Sequence, residues 1–304
     1  MNEFNEVHNH EIYIFAPSMT KSRSPLSYLR STKFLSAIRG PKYTRDILPW
    51  NSTHLKRQVY MEIFRPSNIY SIHKYPVLIL NDGQDSEALQ IKYTVEKLWQ
   101  RKEVEPAIIV AIHAGDRMQE YGVSAETDFS GRGGKAGMYS DFIVQELFPY
   151  LKSHFPLDVD NVCIAGFSLG ALSALDMAWN HSDIFKKIGA FSGSFWWRNL
   201  DSSDNFFDEK IHRIMHNQIK DAQSKPGLKF WFQTGTKDEN SDRNKNGVID
   251  SIDDTLDLIA ELTKKGYRPL HDIVYFEMKG GEHNQHTWAQ AMPQFLKWAF
   301  GKQI

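Results

Sequence analysis

The chain has 304 residues and a net charge of −1, so neither broad nucleic-acid binding nor adhesion to an anionic membrane surface is expected of it. Apolar residues make up 41%, with 19 Phe, 12 Tyr and 8 Trp, enough for one large core at a length that single α/β domains reach. The only cysteine, Cys163, excludes a disulfide within the chain, and no leader-like or 18-residue apolar run occurs. The expectation is a soluble, cytoplasmic protein with no membrane or nucleic-acid partner.

In chain order, residues 1–42 are polar and weakly patterned, and the stretch from Thr20 through Arg45 has seven Lys/Arg and no Asp/Glu. They are expected to be an extension that carries no functional signal. His8-Asn9-His10 has ligand spacing but no third partner nearby. Residues 43–304 are expected to form one catalytic domain. Tyr43–Leu48 and Leu55–Phe64 come first; Leu55, Val59, Met61 and Ile63 largely keep one face, as an antiparallel strand requires.

From Tyr75 the rhythm changes to buried strands alternating with helices. Pro76–Leu80 predicts a strand, and Ala88, Ile91, Val95 and Leu98 stripe a helix opened by Asp85 or Ser86. Ala107–Ile112 is the next strand, followed by the Gly-rich loop Ser130–Gly137 and a helix over Met138–Phe155. That loop lacks the order of a phosphate cradle. Further strands are expected at Val162–Ala165, Ile188–Ser192, Leu228–Thr234 and Ile273–Met278. Helices are expected over Thr255–Lys264 and around Trp288–Phe300. The predicted architecture is a mostly parallel sheet with helices on both faces and antiparallel strands at its N-terminal edge. The interruption at residues 195–227 is where a substrate-covering insertion would sit.

Chemistry concentrates at Gly166-Phe167-Ser168-Leu169-Gly170. This G-x-S-x-G pentad lies between the strand ending at Ala165 and a helix striped by Ala171, Leu172, Leu175 and Ala178, the setting of a nucleophile elbow. Ser168 is therefore the candidate nucleophile. A serine nucleophile needs a base and a carboxylate to orient that base, following in the order Ser, Asp/Glu, His at later strand ends. Leu228–Thr234 leads into Asp238-Glu239, of which Asp238 is preferred. Ile273–Met278 leads through Gly280-Gly281 to His283, preferred over His286 in the next helix. The oxyanion donors are expected to be the backbone amides of Leu169 and, after Val77–Leu80, of Gln84.

Several segments occur in a telling order: Tyr75-Pro-Val-Leu-Ile-Leu-Asn-Asp-Gly-Gln84, Arg117-Met-Gln-Glu-Tyr121, Phe142–Tyr150, Ala165–Ala171, Phe191-Ser-Gly-Ser194, and Gly280–Asn284 followed by Trp288. In these segments the chain resembles the Putative esterase family of α/β-hydrolases, which includes enterochelin esterase, esterase D and feruloyl esterases, from about Leu55 to Phe300. The resemblance implies the α/β-hydrolase fold and a serine hydrolase of small-molecule carboxylic esters, with Ser168, Asp238 and His283 as triad and no catalytic cofactor. Acyl transfer on the same machinery, and a catalytically silent binding protein on the same fold, are the alternatives. The chain departs at Gly170-Ala171, where the family has Gly-Gly. Nothing in it sets an oligomeric state.

Two further features are expectations of their own. Phe195-Trp196-Trp197 and Arg117 are candidates for contact with the substrate, although each could equally tie loops to the core. Asp242-Arg-Asn-Lys-Asn-Gly-Val-Ile-Asp-Ser-Ile-Asp253 fits a twelve-residue calcium loop. Asp242, Asn244, Asn246, the Val248 carbonyl, Asp250 and Asp253 then fall at ligand positions, so a structural Ca²⁺ is weighed against a plain helix-capping turn.

Overall fold

The structure is a computed structural model and describes residues 42–302. The N-terminal extension and its histidine pair lie outside the described residues. Eight strands form one sheet in the order β1-β2-β4-β3-β5-β6-β7-β8, with β1 Tyr43–Ser52, β2 Arg57–Pro66, β3 Tyr75–Leu80, β4 Ile108–Ile112, β5 Leu157–Phe167, β6 Lys187–Phe191, β7 Lys229–Lys237 and β8 Ile273–Glu282. The first two strands run antiparallel, and β4, β3, β5, β6, β7 and β8 are parallel to one another.

The strand sequences explain this layering. β3 and β4 are buried at every residue, as unbroken apolar strands must be when helices cover both faces. β1 is the edge strand and alternates, with Ile47 left 67% exposed. Alternate residues of the central strands feed two cores. Val77, Ile79, Val162 and Ile164 pack under one layer of helices, and Leu78, Leu80, Cys163, Ala165 and Phe167 under the other.

The helices, in chain order, are α1 Ile91–Gln100, α2 Arg117–Glu120, α3 Ala136–Asp141, α4 Phe148–His154, α5 Leu169–Asn180, α6 Glu209–His212, α7 Ile214–Asp221, α8 Asp250–Lys264 and α9 Gln285–Phe300. Three differ from the sequence expectation, α8 by opening at Asp250 rather than near Thr255. α1 does not open at Asp85 or Ser86: Gly83–Asp85 is a 3₁₀ turn, Gln90 sits at φ 54°, and the Ser86 hydroxyl donates to Glu62 instead of capping the helix. The helix expected over Met138–Phe155 is split by a π-turn at Phe142–Leu147, between α3 and α4.

Because β5, β6, β7 and β8 are parallel neighbours, their C-terminal ends meet at one edge of the sheet. Ser168 follows β5, Asp238 follows β7 and His283 follows β8. That edge is where ligands bind in open α/β sheets.

Candidate active site

Ser168 lies between β5 and α5 at φ 53°, ψ −119°. A non-glycine residue pays for such a backbone, and the surroundings must hold it there. Its N–H donates to the Phe191 carbonyl at 2.9 Å, and its carbonyl accepts from Ala171 and Ser194 at 3.0 and 3.1 Å. The two glycines of the pentad have a steric cause. A Cβ on Gly166 would stand 2.3 Å from the Gly170 carbonyl oxygen, and one on Gly170 would stand 2.6 Å from an Asp82 carboxylate oxygen. Strand, helix and the loop after β3 therefore close to backbone distance around the serine.

Ser168, Asp238 and His283 line one cleft of about 270 Å³, together with Ser192, Gly193, Ser194, Trp196, Glu239 and Ser251. The Ser168 hydroxyl lies 3.2 Å from that of Ser194, and this is its side-chain partner in the structure rather than His283. Asp238 is 9% exposed; one carboxylate oxygen accepts the Gly235 amide at 3.0 Å, and the other is buried without a hydrogen-bond partner. A buried carboxylate oxygen is costly unless a donor reaches it. Burial raises the Asp238 pKa, against the Gly235 amide, the nearby Ser192 hydroxyl and the charge of His283. Desolvation within the cleft lowers the His283 pKa; Asp238 opposes this and Arg117 adds to it. His283 is an exposed residue whose ring meets Trp288 edge-on at 5.2 Å, while Trp288 donates its indole N–H to Ser192. His286, the competing histidine, turns to Gln290 at 2.8 Å. Glu239, the competing acid, lines the same cleft, and burial raises its pKa.

The loop after β3 is braced against the elbow. Asn81 donates to the Gly170 carbonyl at 2.7 Å and accepts from Tyr139, and the Asp82 amide donates to the Tyr121 hydroxyl. Arg117 forks onto both carboxylate oxygens of Asp82 at 2.8 and 3.0 Å and also donates to the Phe167 carbonyl, next to Ser168. Arg117 is thus committed to joining two loops. Leu169 is the first residue of α5, and Gln84 lies in the short 3₁₀ turn, its side chain bonded to Asp82 and to the Ala114 amide.

Of the three adjacent aromatics, Trp196 lines the cleft. Phe195 and Trp197 are buried at 1% and 0% exposure. Phe195 packs edge-on against Phe232, and the Trp197 ring stands where a Cβ on Gly122 or Gly133 would be. Ser194, Ser251 and Glu239 belong to the cleft without having been singled out as substrate contacts. The Ser-Gly-Ser after β6 is visible in the sequence among the segments of the family resemblance and Glu239 as the competing acid, whereas Ser251 carries no such signal.

The acidic loop places the side chains of Asp242, Asn244, Asn246 and Asp253 together. Asp242 accepts the amides of Asn246 and Gly247, and Asp253 accepts from the side chains of Asn244 and Asn246 at 2.6 and 3.1 Å. Val248 donates its amide to Asn246. Asp250 does not join them: it accepts the Arg243 amide and pairs with the Arg243 guanidinium. Among the described residues no group of three or more His, Cys, Asp or Glu side chains is disposed to hold a metal ion.

Residues 52–299 match the model of the family described as Putative esterase. The chain belongs to that family. An uncharacterized Bacillus subtilis (strain 168) protein, YjcH, is 24% identical over 249 residues, 81% of this chain and 93% of its own length. The Shigella flexneri enterobactin esterase, solved in the presence of enterobactin, superposes with a TM-score of 0.66 at 22% identity, covering 87% of this chain and 60% of that one. A ferulic acid esterase gives a TM-score of 0.64 at 19% identity over 86% of this chain and 98% of its own. The chain thus spans about 60% of the enterobactin esterase structure. The fold is that of the α/β-hydrolases, and the family match supports a carboxylic-ester hydrolase.

Among the described residues no helix is long and apolar enough to cross a membrane.

Proposed function

We propose that the protein hydrolyses small-molecule carboxylic esters through an acyl-Ser168 intermediate, with Ser168, Asp238 and His283 as its triad. The observation that supports this most is the left-handed serine at the end of β5, sharing one cleft with an aspartate and a histidine from the ends of β7 and β8. Ser168 Oγ attacks the ester carbonyl while His283 takes its proton. Asp238, with its unpartnered buried oxygen, orients the imidazole and stabilises it when charged. The amides of Leu169 and Gln84 hold the negative oxygen of the tetrahedral intermediate. His283 then protonates the leaving alkoxide, and the alcohol departs. In the second half, His283 takes a proton from water, the hydroxide carbon–oxygen bond forms, and Ser168 leaves with its proton restored. The hydroxyl of Ser194 shares the resting hydrogen bond of Ser168, which must reorient towards His283 for the first proton transfer.

The test is turnover of p-nitrophenyl acetate. Ser168→Ala should lower kcat/KM by on the order of 10⁴-fold or more. Equal rates for the two proteins would reject the mechanism. Replacement of water by an added alcohol, read as a new ester product, would assign the chain to acyl transfer.

A further inference from the structure

A second cavity, of about 430 Å³, adjoins the catalytic cleft, and the two share Trp196 and Glu239. Three arginines line it, Arg132, Arg198 and Arg243. Two are neutralised by the protein. Arg132 pairs with Asp128, and Arg243 is held by Glu209, Asp250 and Asp254.

Arg198 is different. Among the described residues no carboxylate lies within ion-pair distance of it. It donates to Ser202 at 3.0 Å and, at 3.5 Å, to the Trp196 carbonyl. Its Nε is buried and has no hydrogen-bond partner. Around the guanidinium stand the rings of Phe129, Trp196 and Phe207, with centroids 5.4 to 5.8 Å away. Burial and the neighbouring Arg243 lower its pKa, against the more distant charges of Asp201, Asp254 and Glu209, none of which reaches ion-pair distance.

The acids of the same cavity do not supply that charge. Asp250 is committed to Arg243. Asp242 accepts the amides of its own loop. Burial raises the Glu239 pKa, and among the described residues no ion pair joins it to Arg198. A planar cation framed by aromatic faces, with an unused N–H, suits a carboxylate: the forked donors match its two oxygens, and the desolvated setting strengthens the pairing.

We propose that Arg198 is the anion-accepting residue of a second subsite, and that the preferred esters carry a carboxylate remote from the scissile bond, seated in this cavity while the ester lies at Ser168. The proposal rests on the esterase reading for its position but not for its chemistry, and the two can fail separately.

The experiment compares the mono-p-nitrophenyl esters of succinate, glutarate and adipate with the neutral p-nitrophenyl esters of matched length. It also compares 4-acetoxybenzoate with phenyl acetate, which places the charge on the alcohol side. In the wild type, kcat/KM for the best-fitting anionic ester should exceed that of its neutral match by roughly tenfold, mostly through KM, as for one charge-assisted hydrogen-bonded pair. The ratio should fall as salt is raised. In Arg198→Gln it should collapse towards one, and Arg198→Lys should retain part of it. A ratio near one in the wild type on both arms, or an unchanged ratio in Arg198→Gln, overturns the subsite. Calorimetric binding of benzoate and of adipate to Ser168→Ala keeps the two readings apart. Binding that Arg198→Gln abolishes supports the subsite even if no ester is turned over, and absence of binding by both acids counts against it.

Discussion

At Ser168 a single positive backbone angle sets the proposed nucleophile in place, and the residues that meet it differ in how legible they are. Ser168, Asp238 and His283 each follow an apolar run that reads as a strand, so their placement needs only the period of the sequence and the order of a triad. Trp196 needs more. Three aromatics in succession leave a loop in three directions, and only the distant Gly122 and Gly133, which make room for Trp197, decide which ring stays in the cleft. Arg117 is the same case, since its partner Asp82 is 35 residues away. The residue-scale predictions follow from these positions. Desolvation lowers the His283 pKa from the ordinary 6.5, and a base must be neutral to act. The kcat/KM profile should therefore rise with pH through a midpoint below 6.5 and then level. A midpoint above it would contradict the stated cause. Asp238→Asn should cost roughly 10- to 100-fold less than Ser168→Ala, and a larger loss in Glu239→Gln would move the acid to Glu239. Trp196→Ala should raise KM for aryl esters more than for acetyl esters, whereas a change in melting temperature alone would make Trp196 a purely structural residue.

Among the elements, the strand-helix alternation was readable because fully buried strands are short, apolar and separated by striped helices. The missed details are local backbone events with weak side-chain signatures. The positive φ of Gln90 delays α1, and the π-turn at Phe142–Leu147 leaves the apolar stripe of that helix intact. The elbow is the element on which the most depends. Gly166→Ala would place a methyl group 2.3 Å from the Gly170 carbonyl oxygen, so β5 and α5 would have to part. The expected cost is about 1–3 kcal/mol of stability, with a drop in kcat because the amide of Leu169, the proposed oxyanion donor, moves with the helix. Full activity in Gly166→Ala would show that the close approach is dispensable. For the loop Asp242–Asp253 a structural calcium is a proposal: four of its side chains already converge, while Asp250 is taken by Arg243. On that proposal, thermal melts in calcium should exceed those in EGTA, and Asp242→Ala should remove the difference. Identical curves would leave a hydrogen-bonded turn leading into α8.

For the whole molecule, the buried polar groups that tie α7 to α8 set how the fold responds to acid. His216 is buried, donates its Nε2–H to the Asp254 carbonyl at 2.9 Å, and lies beside Arg213 and Arg243. Burial, with Arg213 adding to it, pushes its pKa down to about 3 from 6.5. The unfolded chain therefore binds a proton at this site between pH 6.5 and 3 that the folded chain refuses. Stability is full above the unfolded value and is lost as pH falls. Each pH unit below 6.5 costs about 1.4 kcal/mol, or about 2 kcal/mol by pH 5, against a total of roughly 5–15 kcal/mol for a domain. Two buried carboxylates act in the other sense. Burial raises the pKa of Asp176 and of Asp254, the latter despite its pairs with Arg213 and Arg243. The folded state then holds protons longer than the unfolded one, and the stability they add in acid is lost as pH rises. Their window opens at the ordinary carboxylate value of 3.8 and runs up to the raised folded values, so they offset part of the histidine's loss, and the comparison with a His216 variant isolates the histidine. Urea unfolding at pH 7 and pH 5 should show the loss in the wild type. His216→Gln retains an amide for the Asp254 carbonyl and carries no titrating group, and it should lose markedly less over the same interval. Equal losses in the two proteins would place the acid sensitivity elsewhere in the fold.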